Sequence, residues 1–171
     1  MALLGRTSAA SNPPSPPPAP PCTVEMLKQR PAGDKSWPIA CSGATLGTAD
    51  KELDLSGAHL SYGDFTDATF IGAGTIKLNG ADLANADLRS ARFTADGGWG
   101  DSLIDFTGAD LTNTDLGDSE IYSTHIGYYG SSVIDFSEAD LTDGDLSGSK
   151  LTISDNPFYD PRAFIDFTEA I

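Results

Sequence analysis

From Leu53 onward a large apolar residue returns at every fifth position within successive blocks, and no other feature of the 171-residue chain constrains its fold as tightly. The segments LDLSGAHLSYGDFTDATF, IKLNGADLANADLRSARF, IDFTGADLTNTDLGDSEI and IDFSEADLTDGDLSGSKL align as four blocks of four pentads, and IDFTEAI begins a fifth. The pentad centres are Leu55, Leu60, Phe65, Phe70; Leu78, Leu83, Leu88, Phe93; Phe106, Leu111, Leu116, Ile121; Phe136, Leu141, Leu146, Leu151; and Phe167. Two positions before the centre, pentads two to four of each block carry only small residues: Ala58, Gly63, Ala68, Ala81, Ala86, Ala91, Ala109, Thr114, Ser119, Ala139, Gly144 and Ser149.

A five-residue spacing drifts around a helix and alternates faces on a long strand, so neither element explains it. The chain must turn once per pentad. If each pentad forms one short side and a corner, the centre and the residue two before it both point inward, and four sides close a square coil. Successive coils then pair backbone to backbone at ~4.8 Å and stack like side chains into ladders. Small residues at the second inward position let the walls approach.

The pentads resemble the A-(D/N)-L-x-x consensus of the pentapeptide repeat proteins, seen nearly unaltered in Gly80–Leu88 and Ala109–Leu111, and the match spans roughly residues 39–171. The resemblance implies an all-β right-handed quadrilateral β-helix, a solenoid of about four full coils with partial end coils.

Two departures from the pattern carry local information. In the first pentad of each block the small inward residue is replaced by Leu53, Ile76, Ile104, Ile134 and Ile165, which are read as packing where the interior widens. Across block junctions the centres lie 8, 13, 15 and 16 residues apart, so loops of 3, 8, 10 and 11 extra residues leave one corner and are expected to stack into a single flank.

Three segments follow. Residues 1–22 include SNPPSPPPAPP, whose fixed φ angles and missing donors favour an extended polyproline arm without a core. Residues 23–52 read as an amino-terminal cap and an incomplete coil, since Lys51 falls where a centre belongs; a short helix from Thr23 to Arg30, with Thr23 as N-cap and Val24 and Leu27 facing the core, would close the opening. Residues 53–171 form the β-helix. At the other end Ala170 and Ile171 stop one residue short of the next centre, which reads as a fragment or as an end that meets a partner.

Acids outnumber bases 25 to 10, giving a net charge of −15 that weighs against direct binding to nucleic acid or anionic membrane. Residues 1–40 carry +2, so the rest carries −17. No apolar run is long enough to span a bilayer, and Met1–Ala10 lacks a signal core, so any targeting peptide is expected to be degraded or already removed.

The acids are ordered. Residues just before the centres should stack into columns: Asp54, Asp105, Asp135 and Asp166 on side one; Asp82, Asp110 and Asp140, with His59, on side two; Asp64, Asp87, Asp115 and Asp145 on side three; Thr69, Arg92, Glu120 and Lys150 on side four, where ion pairs can form. Stacked carboxylates should have raised pKa values unless corner amides hydrogen-bond them. Calcium capture is the alternative to solvated faces, but the family consensus itself calls for Asp or Asn there, and no EF-hand or GGxGxD motif occurs. Two histidines give no support for a zinc site, and no Ser-His-Asp set stands out, so no metal, cofactor or catalytic residue is assigned.

Cys22 and Cys41 either staple the amino cap or Cys41 is simply a buried small apolar residue at a pentad centre. The insertions gather Trp99, Tyr122, His125, Tyr128, Tyr129, Phe158 and Tyr159 among glycines and prolines, a composition suited to partner recognition by rigid rings, or to those rings packing on one another; Phe164 lies at the same corner.

The expected function is a non-enzymatic structural or interaction protein, an acidic rod docking on a larger assembly. The resemblance, to a family abundant in cyanobacteria and plastids with several lumenal members, implies the thylakoid lumen and a photosynthetic membrane complex, with the cytoplasm as the alternative location. The second reading is a DNA mimic that inhibits or protects a type II topoisomerase, because the family includes such members. An enzyme at the insertion loops is the third, with no nucleophile, metal or phosphate signature to carry it.

Overall fold

The computed structural model describes residues 22–34, 37–127, 130–154 and 163–171. The proline-rich segment of the expected arm and four of the insertion aromatics, Tyr128, Tyr129, Phe158 and Tyr159, lie outside them. The chain is a β-solenoid of about four turns.

Helix α1 (Val24–Gln29) comes first. It is followed by β1 (Thr45–Thr48), β2 (Leu53–Asp54), β3 (Thr69–Ala73), β4 (Thr75–Lys77), β5 (Arg92–Asp96), β6 (Ser102–Asp105), β7 (Glu120–Thr124), β8 (Ser132–Asp135), β9 (Lys150–Ser154) and β10 (Phe164–Asp166). Side four is a parallel sheet in the order β1-β3-β5-β7-β9, and side one a parallel sheet in the order β10-β8-β6-β4-β2. Sides two and three are narrower, held by single parallel bridges through His59, Asp82, Asp110 and Asp140 and through Ala40, Asp64, Asp87, Asp115 and Asp145.

The register is the one the pentads require. Each centre donates its amide to the residue before the centre one coil on, as in Leu83 to Asp110 (2.8 Å) and Leu111 to Asp140 (2.8 Å). A β-turn closes each of the first three pentads of a block, Ala81 N to Leu78 O (3.0 Å) being one, and its third residue has positive φ. That residue is non-glycine at nine places, among them Asn85 (59°), Asn113 (52°) and Glu138 (58°), so the coil imposes a conformation that costs an L-residue about 1–2 kcal/mol and holds it there by packing and ladder hydrogen bonds.

Inside, the centres from Leu55 to Ile121 and Phe136 are 0–1% exposed. Leu141, Leu146 and Leu151 of the last full coil are partly buried, and Phe167 is 46% exposed. Phe rings stack up the interior: Phe70 on Phe93 (4.4 Å between centroids), Phe106 on Phe136 (4.7 Å) and Phe136 on Phe167 (5.1 Å). Two of the three hydroxylated small inward positions spend the hydroxyl on a carbonyl of the preceding coil, Thr114 Oγ1 to Leu83 O (2.8 Å) and Ser149 Oγ to Leu116 O (2.7 Å), while Ser119 Oγ meets Ser149 Oγ at 3.4 Å. A buried donor is thereby satisfied without widening the coil.

Over the first coil, Thr23 caps α1, its hydroxyl accepting from Met26 N (3.1 Å), and Leu27 is fully buried while Val24 packs partly buried against the core. Arg30, expected only to end the helix, is 4% exposed. Its guanidinium donates to the carbonyls of Trp37 (3.2 Å), His59 (2.8 Å), Ser61 (3.0 Å) and Asp34 (2.8 Å), tying the helix to the first coil's corner. Lys51 is exposed and bridges Thr48 in antiparallel fashion. Among the described residues no helix is long and apolar enough to cross a membrane.

Candidate functional site

The insertions do not leave the coil as loops at once. Strands β3, β5, β7 and β9 run three residues past their centres, in parallel register, before the chain turns back into side one. Because side chains alternate along a strand, the residue two past each centre also faces inward: Gly72, Ala95, Ser123 and Ile153. On the returning strands Ser102 and Ser132 sit two positions before the inward Ile104 and Ile134 and are themselves buried.

The result is a polar seam inside the extended corner. Ser102 Oγ donates to Ala95 O (2.8 Å), so Ser123 Oγ supplies the proton to the 2.8 Å contact between the two hydroxyls. Ser132 Oγ donates to Ser154 O (2.9 Å), which makes the ring of His125 the donor, through Nδ1, at 3.0 Å. His125, expected at a partner-contacting surface, is 3% exposed and bonds Ser132 inside the corner. The expectation fails because the insertion is not loop at its start: alternation carried on past Ile121 turns Ser123 and His125 inward. The spacing Ser102-Ile104-Phe106 and Ser132-Ile134-Phe136 is the signal that marks the serines of this seam.

Of the remaining corner residues, Trp99 is 70% exposed and Ile126 66%. Tyr122 is half-buried, facing outward in a ladder between Thr94 and Thr152. The loops stack as one flank: Ile126 N donates to Gly98 O (2.7 Å), and Ser131 donates through N (2.8 Å) and Oγ (3.2 Å) to Asp101 Oδ1. Gly127 lies so close to Trp99 that a Cβ would stand 2.5 Å from its carbonyl oxygen. A shallow cleft of ≈ 390 Å³ opens where this flank meets side four, lined by Ala49, Ile71, Gly72, Thr94, Asp96, Gly97 and Gly98.

Cys22 and Cys41 are disulfide-bonded, with Cα atoms 5.4 Å apart, and Cys41 is also a buried centre at 1% exposure. Both readings of that cysteine hold together.

The columns form as spaced, and hydrogen bonding decides their electrostatics. Before each corner the aspartate Oδ1 accepts the amide two residues on: Asp54 from Ser56 (3.0 Å), Asp115 from Gly117 (2.9 Å), Asp145 from Ser147 (2.7 Å). The Ser56 amide and hydroxyl hold the Asp54 carboxyl at about 2, and the turn residues likewise depress Asp140, Asp145 and Asp166. Asp87 is lowered first by Arg89, which lies on it and reaches Asp115 at 3.5 Å. On side four Glu120 pairs with Arg92 (2.5 Å) and Lys150 (3.4 Å). Among the described residues no three His, Cys, Asp or Glu converge as a metal site.

The family model described as "Pentapeptide repeats (8 copies)" matches residues 76–95. No curated protein matches the chain. Among solved structures it is similar to HetL, a pentapeptide repeat protein involved in heterocyst differentiation regulation from the cyanobacterium Nostoc sp. strain PCC 7120, at 23% identity over 77% of this chain and 71% of that one, with a TM-score of 0.26. It is also similar to two trypsin-treated forms of QnrB1, a plasmid-mediated fluoroquinolone resistance protein. One is 18% identical over 78% of this chain and 73% of that one (TM-score 0.16), the other 14% identical over 79% and 86% (TM-score 0.18).

Proposed function

We propose, from the premise that this chain is a pentapeptide repeat protein, that it is a non-enzymatic interaction protein, a rigid acidic rod that docks on a larger assembly. One observation carries the reading. The interior is an unbroken stack of apolar centres, and the polar groups inside it are spent on backbone carbonyls or on one another, so the groups left to meet another molecule lie on the outer walls. Those walls are strongly acidic and fixed in place by turn hydrogen bonds, so docking costs little side-chain ordering. The exposed Trp99 and Ile126 at the insertion corner add the apolar contact that an interface core uses.

The Cys22–Cys41 bond suits an oxidising compartment. With the family's occurrence in photosynthetic organisms, it supports a thylakoid-lumen location and a photosynthetic membrane complex as the assembly. The test is native electrophoresis and gradient sedimentation of gently solubilised source membranes. Comigration with a membrane complex is expected, and migration only at the size of the free chain overturns the proposal.

The acidic columns on three sides support the second reading, a mimic of duplex charge directed at a type II topoisomerase. Cations interrupt that charge at Lys77, Arg89, Arg92 and Lys150. A supercoiling assay with gyrase decides: unchanged activity at excess protein eliminates mimicry.

A further inference from the structure

We propose that the outer face of the side-one sheet is a docking surface for a cationic amphipathic helix laid along the solenoid axis. The inference rests on the reading of the chain as a protein-docking rod and names the face and the kind of element it takes.

Alternation along β4, β6, β8 and β10 turns Ile76, Ile104, Ile134 and Ile165 inward and leaves two outward columns. One runs Thr75, Leu103, Val133, Phe164; the other runs Lys77, Asp105, Asp135, Asp166. Three successive coils therefore place an apolar side chain on the outside beside a carboxylate two residues along the same strand. Leu103 and Val133 are half-buried and Phe164 is 49% exposed. The bridge columns of sides two and three, from His59 to Asp140 and from Ala40 to Asp145, are polar apart from Ala40 and carry no such ladder.

The carboxylates of the last three coils on this face also lack ion pairs among the described residues, Lys77 one step before Asp105 being the cation within the column. Side four neutralises Glu120 with Arg92 and Lys150, side three lays Arg89 on Asp87 and Asp115, and Lys77 is held by Glu52 at 3.0 Å. Asp105, Asp135 and Asp166 each accept a turn amide through Oδ1, from Thr107 (2.9 Å), Ser137 (2.8 Å) and Thr168 (2.8 Å), and have no ion-pair partner among the described residues.

Spacing selects the occupant. Coils rise ~4.8 Å, and an α-helix rises 5.4 Å per turn, so across the two steps from Leu103 to Phe164 the mismatch is only about 1 Å. An extended strand repeats one face about every 6.7 Å and slips by nearly 4 Å over the same two steps. The two columns stand about 6.7 Å apart on the strand, which suits an apolar i, i+3, i+7 stripe on Leu103, Val133 and Phe164 with a flanking Lys or Arg row on the carboxylates.

The experiment titrates a labelled helical peptide of Leu and Lys in amphipathic order against the full chain and reads fluorescence anisotropy. Saturable binding is expected, weakened about tenfold or more by combined Asp105→Asn, Asp135→Asn and Asp166→Asn, and likewise by Val133→Thr with Phe164→Thr. Asparagine keeps the acceptor that each turn needs. The side-two set Asp82→Asn, Asp110→Asn, Asp140→Asn should leave affinity unchanged, and a scrambled Leu-Lys peptide of the same composition should bind the parent chain far more weakly. No saturable binding, equal binding of the scrambled peptide, or equal weakening by the side-two set overturns the proposal. A peptide failure leaves comigration with an assembly standing, whereas failure to comigrate with peptide binding intact removes the assembly alone.

Discussion

Phe93 lies face to face on Phe70, one coil away, with ring centroids 4.4 Å apart and planes within 5° of parallel, and it meets Phe106 edge-on at 5.6 Å. A centre is thus packed by the coil before it and by the coil it leads into. Removing one ring opens a hole that neither wall can close, because each wall is tied to its neighbours by ladder hydrogen bonds. Phe93→Ala should cost about 3–5 kcal/mol in urea unfolding, while Phe93→Leu should cost roughly half as much or less. Equal losses for the two would contradict a tightly packed column.

The extended corner sets a sharper limit at Gly72. A Cβ there would stand 2.1 Å from the Thr75 carbonyl oxygen, which is backbone and cannot step aside, whereas a Cβ on Gly80 meets nothing within 4 Å. Gly80→Ala should lose only the roughly 1–2 kcal/mol of a left-handed L-residue. Gly72→Ala should lose more than that, and a thermal melt of the two side by side checks the order.

Acid should unfold the protein through its turns. The folded Asp54 carboxyl is depressed from 3.8 to about 2 by the Ser56 amide and hydroxyl, so the unfolded state binds the proton more readily. The stability it contributes is whole above about pH 4 and is lost as pH falls toward 2; Asp140, Asp145 and Asp166 shift the same way for the same reason. Asp54→Asn should flatten the fall of Tm with pH across that window, and an unchanged profile would show that this turn contributes nothing to it.

Within the buried seam, Ser132 both donates to Ser154 O and accepts from His125. Ser132→Ala removes the acceptor that the buried His125 ring uses at 3.0 Å and one of the two donors to Ser154 O, the His125 amide at 3.3 Å remaining, and should cost about 1–3 kcal/mol in chemical denaturation. The exposed Ser56→Ala, at a turn facing water, should cost less.

Reduction should loosen the amino end. The Cys22–Cys41 bond closes a loop with a sequence separation of 19, a size for which chain entropy predicts about 3 kcal/mol. Reductant or Cys22→Ser should lower Tm accordingly, and thiol titration of the unreduced folded protein should find no reactive cysteine.

How far the sequence reached differs between wall and corner. A fifth-residue apolar period with small residues two positions before it admits one geometry, because only a chain that turns every pentad buries all the centres at once; Leu83, Leu111 and Leu141 could be placed in one ladder from spacing alone. The site was legible only as a composition. Trp99 is exposed at the outer corner whereas His125 is buried, and no repeat governs the insertions to tell the two apart, since inward or outward there depends on how far β7 continues past Ile121.

The sequence by itself therefore determined the coil, its register and the acidity of its walls, since these follow from a local period repeated coil after coil. Only the tertiary structure decided that Arg30 caps the first coil, that Ser132 and His125 face each other, and that Leu103, Val133 and Phe164 align on one outer face beside Asp105, Asp135 and Asp166. Those relationships join residues whose separations vary with insertion length, and what aligns them is the stacking of whole coils, which no short window of sequence contains.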